Sequence, residues 1–344
     1  MKGTQMKKIL FFVLAVFLFF HKVSSQVQDY PLMIIDSLGV AGEKNSDFFY
    51  YPIDAERGPD GIIYLLDSGN DRIVKLDSTY SVIGQFGRRG EGPGEFMFPR
   101  LIANPGYMTI LKSGNIAVAE NGRYKVQILD PNGRSLRSFH AFTTPSAIDS
   151  DSEGNIYLSQ VFREKDHLIY VYNKEGELIR SFCEKVLTIP QYYDVNSVKF
   201  RIDDTTNHMY VINLAFGILQ KYTLEGTLLW EKRYDPKKIS KRIRQAQSWD
   251  LIPPEDIKED MKFPDDQDAI FSQIDLDDNY LYIWHELHFL LKLDKSGNVL
   301  ACYYHPTVVS KSGEGFLNYR VINKRLFYFS NDRVEILKGL IKNK

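Results

Sequence analysis

Five arginines and one His-Glu pair stand at related places in this 344-residue chain and could do chemistry together. Arg72, Arg123 and Arg333 follow short polar turns, Arg88 and Arg89 lie in a glycine-rich stretch, and His285 and Glu286 follow an apolar run. A guanidinium presents its N–H donors as a planar fork that matches paired oxyanion oxygens. A group of them around one opening suits carboxylates, or sulfated and acidic sugars. The competing reading is structural: an arginine that recurs after Gly-Asn-Asp turns can simply tie neighbouring units of a repeat. No residue is assigned a catalytic role or a metal.

Other chemical motifs fail on spacing. Asp149-Ser150-Asp151-Ser152-Glu153-Gly154 has carboxylates at positions 1, 3 and 5 of a calcium loop and glycine at 6, but position 12 is Gln160, where a bidentate Glu is needed. Asp275-Leu276-Asp277-Asp278-Asn279 occupies the matching place further on, so the segment reads as a repeated hairpin turn and bound calcium as a weak option. His285-Glu286-Leu287-His288 lacks the two histidines four apart on a helix that zinc proteases use. Residues 87–94 are glycine-rich without the Gly-Lys-Ser/Thr ending of a phosphate loop, and no Gly-x-Ser-x-Gly elbow occurs.

The elements that must position these residues repeat. Ile62-Ile63-Tyr64-Leu65, Ile116-Ala117-Val118-Ala119, Ile156-Tyr157-Leu158, Met209-Tyr210-Val211-Ile212, Leu281-Tyr282-Ile283-Trp284 and Leu326-Phe327-Tyr328-Phe329 each follow a polar turn. Such short β-branched and aromatic runs between Gly, Asn and Asp clusters are strand signals. A second set of tight turns, at Asp130-Pro131-Asn132-Gly133, Asn173-Lys174-Glu175-Gly176, Leu224-Glu225-Gly226 and Asp294-Lys295-Ser296-Gly297, carries hairpin chemistry. Strand and turn in blocks of four, repeated six times, predict an all-β six-bladed β-propeller. The sixth unit stops at its third strand, Arg333-Val334-Glu335-Ile336-Leu337, whereas Ile34-Ile35-Asp36-Ser37-Leu38-Gly39 matches the fourth-strand pattern Val82-Ile83-Gly84-Gln85-Phe86-Gly87. The N-terminal strand is therefore expected to complete the last blade and close the ring.

In that topology the short turns share one face, and the crossovers 87–98, 183–196 and 235–268 lie on the other. The loop-rich face is the expected binding face, since scaffolds carry function on long loops. Residues 235–268 read as a helical insertion that either packs on the rim or covers the channel mouth as a lid.

Lys2, Lys7 and Lys8, the apolar run Ile9–Phe20 and the small-residue pattern at Val23 and Ser25 read as a removed signal peptide over 1–25, with an uncleaved anchor as the alternative. The domain is then 26–344, a single unit with no transmembrane segment. Loss of four lysines leaves 39 basic against 44 acidic residues, a balance of −5. That mildly acidic balance argues against nucleic acid as a partner, which wants a strongly basic face. Cys183 and Cys302 fall on outer strands of non-adjacent units and are expected to stay unpaired.

The Gly-Asn-Ile-Tyr strands, Asp67-Ser68-Gly69-Asn70-Asp71-Arg72-Ile73-Val74 and Phe86-Gly87-Arg88-Arg89-Gly90-Glu91-Gly92-Pro93-Gly94-Glu95-Phe96 together resemble NHL-repeat propellers. Over residues 30–338 the chain is more similar to the six-bladed propellers exported by Gram-negative bacteria, the likeness being sharpest in the first three units. Those families include lyases, hydrolases and plain binding proteins. The expectation is a secreted or periplasmic monomer that binds a protein, glycan or small molecule on its loop-rich face. The alternative is an enzyme like the propeller lactonases or lyases, whose resemblance implies a channel metal held by inner-strand carboxylates and amides. Asp54, Asn104, Asp149, Asn196 and Asn318 are the inner-strand polar residues available for that role.

Overall fold

A strand buried on both faces reads as a continuous apolar run, and one buried on a single face alternates. Both patterns occur here. The second strand of the first blade, Ile63–Asp67, is buried throughout, whereas an outermost strand such as Ser135–His140 alternates half-buried and exposed residues. The structure, a computed structural model, describes residues 28–38, 49–99, 106–121, 123–141, 145–160, 165–186, 196–234, 271–285, 289–304, 316–330 and 332–338. Residues 1–25, read above as a signal peptide, residues 235–268, read as an insertion, and Glu286 lie outside these residues, and His285 is described only as the end of a strand.

The described strands form six antiparallel blades. Their innermost strands, in blade order, are Pro52–Arg57, Tyr107–Ile110, Ala147–Ser150, Val198–Asp203, Phe271–Leu276 and Phe316–Ile322. Met33–Leu38 pairs antiparallel with Val334–Lys338 as the outermost strand of blade 6, so the N-terminal strand closes the ring as expected. It even reproduces the repeat's irregularity. In each blade the third-to-fourth pairing skips one residue of the outer strand, at Ile83, Leu136, Ile179, Leu229, Leu300 and, in the closing strand, Ile35. A bulge of this kind leaves the extra residue outside the ladder. All six side chains are exposed aliphatics.

One feature has no counterpart in the repeat. Gln28–Pro31 runs parallel to Val299–Tyr304 as a fifth strand of blade 5 before the chain crosses to blade 6. Leu32, at the crossing, is buried among blade 5 and blade 6 side chains. The N-terminal segment thus staples two blades together and covers one exposed sheet edge.

No blade has a core of its own. Six apolar clusters lie between adjacent blades, each drawing side chains from both, so stability requires the complete ring. At the edge of those clusters, the third-to-fourth turn of one blade rests on an aromatic ring of the preceding blade. Gly176 has φ +88°, and a Cβ there would lie 2.6 Å from Cβ of Phe139; Gly226 makes the same approach to Phe182. Cys183 and Cys302 are both buried, in blades 3 and 5, and no disulfide joins them, as expected.

Candidate functional site

Alternation along an inner strand turns every second side chain toward the axis of the ring. The pairing register sorts these side chains into two layers. Glu56, Thr109, Asp149, Arg201, Asp275 and Arg320, one per blade, stand opposite Tyr64, Ala117, Tyr157, Tyr210, Tyr282 and Phe327 of the second strands. Two residues earlier come Asp54, Tyr107, Ala147, Lys199, Gln273 and Asn318.

Arg201 spans the axis from blade 4. Its Nη1 donates to Glu56 Oε1 of blade 1 at 2.6 Å and lies 3.6 Å from Asp149 Oδ2 of blade 3, while Nε is 3.1 Å from Asp275 Oδ1 of blade 5. Arg320 of blade 6 forks onto Asp54 of blade 1, Nε to Oδ1 at 2.5 Å and Nη2 to Oδ2 at 3.1 Å. The same acids bind the next blade through its backbone. Asp54 accepts from Met108 N–H at 3.2 Å, Glu56 from Ile110 at 2.7 Å, Asp149 from Ile202 at 2.9 Å and Asp275 from Val321 at 2.6 Å. The Thr109 hydroxyl sits 3.2 Å from both Glu56 Oε2 and Asp149 Oδ1, with one proton to give. Gln273 donates to Asn318, which donates to the Ile53 carbonyl, and so links blades 5, 6 and 1.

Burial sets the electrostatics. It raises the Glu56 pKa, with Arg201 and Arg320 pulling against it and Asp149 and Asp54 adding to it. Burial works against the charge on Arg201, and Asp149, Glu56 and Asp275 more than restore it. Lys199 is brought down to about 7, by burial first and then by Arg320. Its Nζ donates to the Tyr107 hydroxyl at 2.8 Å and to the Ser146 carbonyl, and lies 4.0 Å from the centre of the Tyr107 ring.

A cavity of about 500 Å³ opens over the first of these layers, on the side of the turns that join inner to second strands. Glu56, Arg201, Asp275 and Arg320 form its floor, and Arg57, Asp278 and Lys324 belong to its rim. This mouth is on the face opposite the crossovers that the sequence nominated.

A divalent cation does not fit the channel acids. Every carboxylate oxygen of Asp54, Glu56, Asp149 and Asp275 already faces an N–H, hydroxyl or guanidinium donor. Among the described residues, no three His, Cys, Asp or Glu side chains group as metal ligands. The calcium-like segment is a turn whose Asp151 accepts from the backbone of Glu153 and Asn155 and from the Tyr157 hydroxyl. Asp277 and Tyr282 repeat the contact in blade 5.

The arginines singled out from the sequence lie elsewhere, each paired locally. Arg72 binds Asp67 at 2.7 Å and Gln85 at 2.5 Å within blade 1, and Arg89 reaches Asp71 at 3.1 Å. Arg88 pairs with Glu95 at 2.7 Å, Arg123 with Glu91 at 3.1 Å and Arg333 with Asp332 at 3.1 Å. Four of these five therefore gather on the loop and crossover between blades 1 and 2, which Gln127 of blade 2 also ties through Gly94 N–H and the Glu95 carbonyl. Of the inner-strand polar candidates, Asp54, Asp149 and Asn318 do face the channel. Asn196, just before its strand, accepts from Val186 N–H at 2.8 Å, and Asn104 lies outside the described residues.

Glu56, Lys199, Arg201, Asp275 and Arg320 were missed. A signal for them exists: each first-layer residue stands two places before the turn that opens the second strand, as with Asp149 before Asp151 and Asp275 before Asp277. Reading down that column across the repeats yields Glu, Thr, Asp, Arg, Asp, Arg, which no single motif contains.

The fold and its channel can be set beside known proteins. NHL repeat-containing protein 3 from Homo sapiens is 23% identical over 200 residues, 55% of this chain and 55% of that protein. Its Mus musculus counterpart is 24% identical over the same length. The chain is an NHL-repeat-like six-bladed β-propeller. It spans about half the length of these curated relatives, and no protein-family model matches it. Among solved structures, virginiamycin B lyase from Staphylococcus aureus with quinupristin superposes with a TM-score of 0.54 at 10% identity, covering 92% of this chain and 97% of the lyase. A streptogramin B lyase gives 0.55 at 12% identity, over 88% of this chain and 96% of that one. The Cps50 (Swd1) propeller domain from Myceliophteria thermophila gives 0.53 at 10%, over 90% of this chain and all of that domain (100%). At these identities the likeness is one of fold.

Proposed function

We propose that this chain is an exported binding propeller that takes a small molecule or glycan into the turn-side mouth of its central channel. The observation that carries the reading is the cavity of about 500 Å³ floored by Arg201, Arg320, Glu56 and Asp275. Volumes of about 300–1,000 Å³ with a few convergent polar groups are typical of ligand sites. The basic, apolar and small-residue pattern of residues 1–25 supports export to the periplasm or beyond. The test is hydrogen–deuterium exchange of the protein against a panel of monosaccharides, oligosaccharides and organic acids. Slowed exchange in 57–62, 276–280 and 322–325 is the expected result. Protection confined to the crossover 88–98 or to outer strands, with the mouth unchanged, overturns the assignment.

A second reading, an enzyme of lyase or hydrolase type acting in the channel, is favoured by one observation. Lys199, lowered to about 7, donates to the Tyr107 hydroxyl, an arrangement that can exchange a proton near neutral pH. Turnover of lactone or lyase substrates that is lost in Lys199→Met while the fold is retained would move this reading ahead.

A further inference from the structure

We propose that the mouth of the channel binds the carboxylate of a compact, singly charged acid of sugar-acid size, held between the open edges of Arg201 and Arg320. The inference rests on the reading of that mouth as a binding site and adds the chemistry of its ligand.

The argument is an asymmetry between donors and acceptors. All the channel carboxylate oxygens are engaged, so the acids have no acceptor capacity to spare. The two guanidinium groups are not saturated. Each offers five N–H donors. Arg201 donates through Nη1 and holds Nε 3.1 Å from Asp275 as an ion pair without a hydrogen bond, and in Arg320 the contacts use Nε and Nη2. Arg201 Nη2 and Arg320 Nη1 have no partner among the described residues, and both arginines line the cavity. What the floor has left is N–H donors, and a planar oxyanion is the group that satisfies them in pairs.

Charge and size narrow the class. The lining carries four basic and four acidic side chains, which balance, so the site has no surplus for a polyphosphate or an oligosulfate. The one lining carboxylate without a described partner, Asp278, is exposed on the rim, where it opposes extra negative charge. A cavity of about 500 Å³ has room for one or two sugar rings behind a single carboxylate.

The experiment is isothermal titration of the protein with D-glucuronate, with D-glucose as the uncharged control and inorganic sulfate as the bare oxyanion, repeated on two rim variants. Asp278→Lys and Lys324→Glu alter exposed residues outside the ion-pair lattice, so the fold should be retained. Glucuronate should bind at least about ten-fold tighter than glucose, the loss of one charge-assisted pair of hydrogen bonds. Asp278→Lys should tighten it and Lys324→Glu weaken it, each by about five-fold at low salt. No glucuronate heat up to 20 mM (about the limit of useful affinity), equal binding of glucose, sulfate competing as well as glucuronate, or indifference to both rim variants would each overturn the proposal. A neutral sugar that protects the mouth from exchange without any response to glucuronate sinks this inference and leaves the binding reading standing.

Discussion

Replacing Arg201 with Met should damage the ring more than any comparable surface change, and in a pH-dependent way. Arg201 is the only cation of the first layer that reaches three acids, Glu56, Asp149 and Asp275, and it does so from a side chain only 16% exposed. Methionine fills much of the volume, so the loss is chiefly electrostatic. Removing one partner of a buried ion pair typically costs about 3–5 kcal/mol, because the remaining charges stay desolvated. For a chain of this size that corresponds to a fall in Tm of roughly 4–7 °C.

The sign of the pH dependence follows from Glu56. Its folded pKa lies above the ordinary 4.5, with burial as the main cause and Arg201 as the first opposing one. Between 4.5 and that raised value the folded protein holds more protons than the unfolded chain, so stability falls as pH rises through the window. Without Arg201 the Glu56 pKa climbs further and the window widens upward. The deficit of Arg201→Met should therefore be large at pH 8 and shrink toward pH 5, where a protonated Glu56 no longer needs a cation. Adding Glu56→Gln should recover part of the loss, a coupling that a double-mutant cycle measures. Calorimetric melts at the two pH values decide the matter. A variant that melts within 2 °C of the parent at pH 8 (under about 1.5 kcal/mol by the same conversion), or one whose deficit is the same at pH 5, refutes the assignment of Arg201 as the electrostatic centre of the channel.

Three further outcomes follow from the same contacts. Deleting 26–39 removes the strand that closes blade 6 and should give an aggregating or unfolded protein by light scattering, whereas deleting 26–31 removes only the fifth strand of blade 5 and should leave a folded monomer with a lower Tm. Lys199, depressed from 10.5 to about 7, binds fewer protons folded than unfolded between those values, so the parent should gain stability as pH rises from 7 to 10. Lys199→Met should be the more stable protein at pH 7 and lack that gain; parallel slopes for the two proteins would contradict it. Gly176→Ala combines a positive φ with a Cβ 2.6 Å from Phe139 and should cost about 2–4 kcal/mol in urea unfolding.

The blades were legible because each repeat reports its own structure. Short apolar and aromatic runs after Gly or Asn turns mark second strands through residue type, and the turn Asp that holds them, as Asp151 does, sits next to them in sequence. The closing strand was legible too, since Ile34–Gly39 copies a pattern found at 82–87. The fifth strand of blade 5 was not. Gln28–Pro31 is four residues long, carries no alternation, and ends in a proline. The cysteines were placed correctly because their separation depends only on blade number. Arginines drew attention where they cluster in sequence, at 88 and 89, but sequence proximity put them on one crossover with carboxylates of their own at hand. Arg201 and Arg320 are 119 positions apart and meet only because six inner strands converge on one axis.

That convergence bears on what the channel is for. An apolar plug of leucines and valines would fill an axial space at less cost, since buried ion pairs seldom repay their desolvation better than hydrophobic side chains of the same size. Here four acids, two arginines and a lysine occupy inner-strand positions that face the axis. Part of the lattice has a structural use: the acids accept N–H groups of the next blade and so set the blade-to-blade register. The arginines do more than neutralise them, because each keeps a donor edge on the cavity that no described residue uses. A purely structural lattice has no reason to leave its strongest donors half-engaged beside an open mouth. An oxyanion arriving from outside completes their coordination, and its binding is then coupled to the contacts that hold blades 1, 3, 4, 5 and 6 in place.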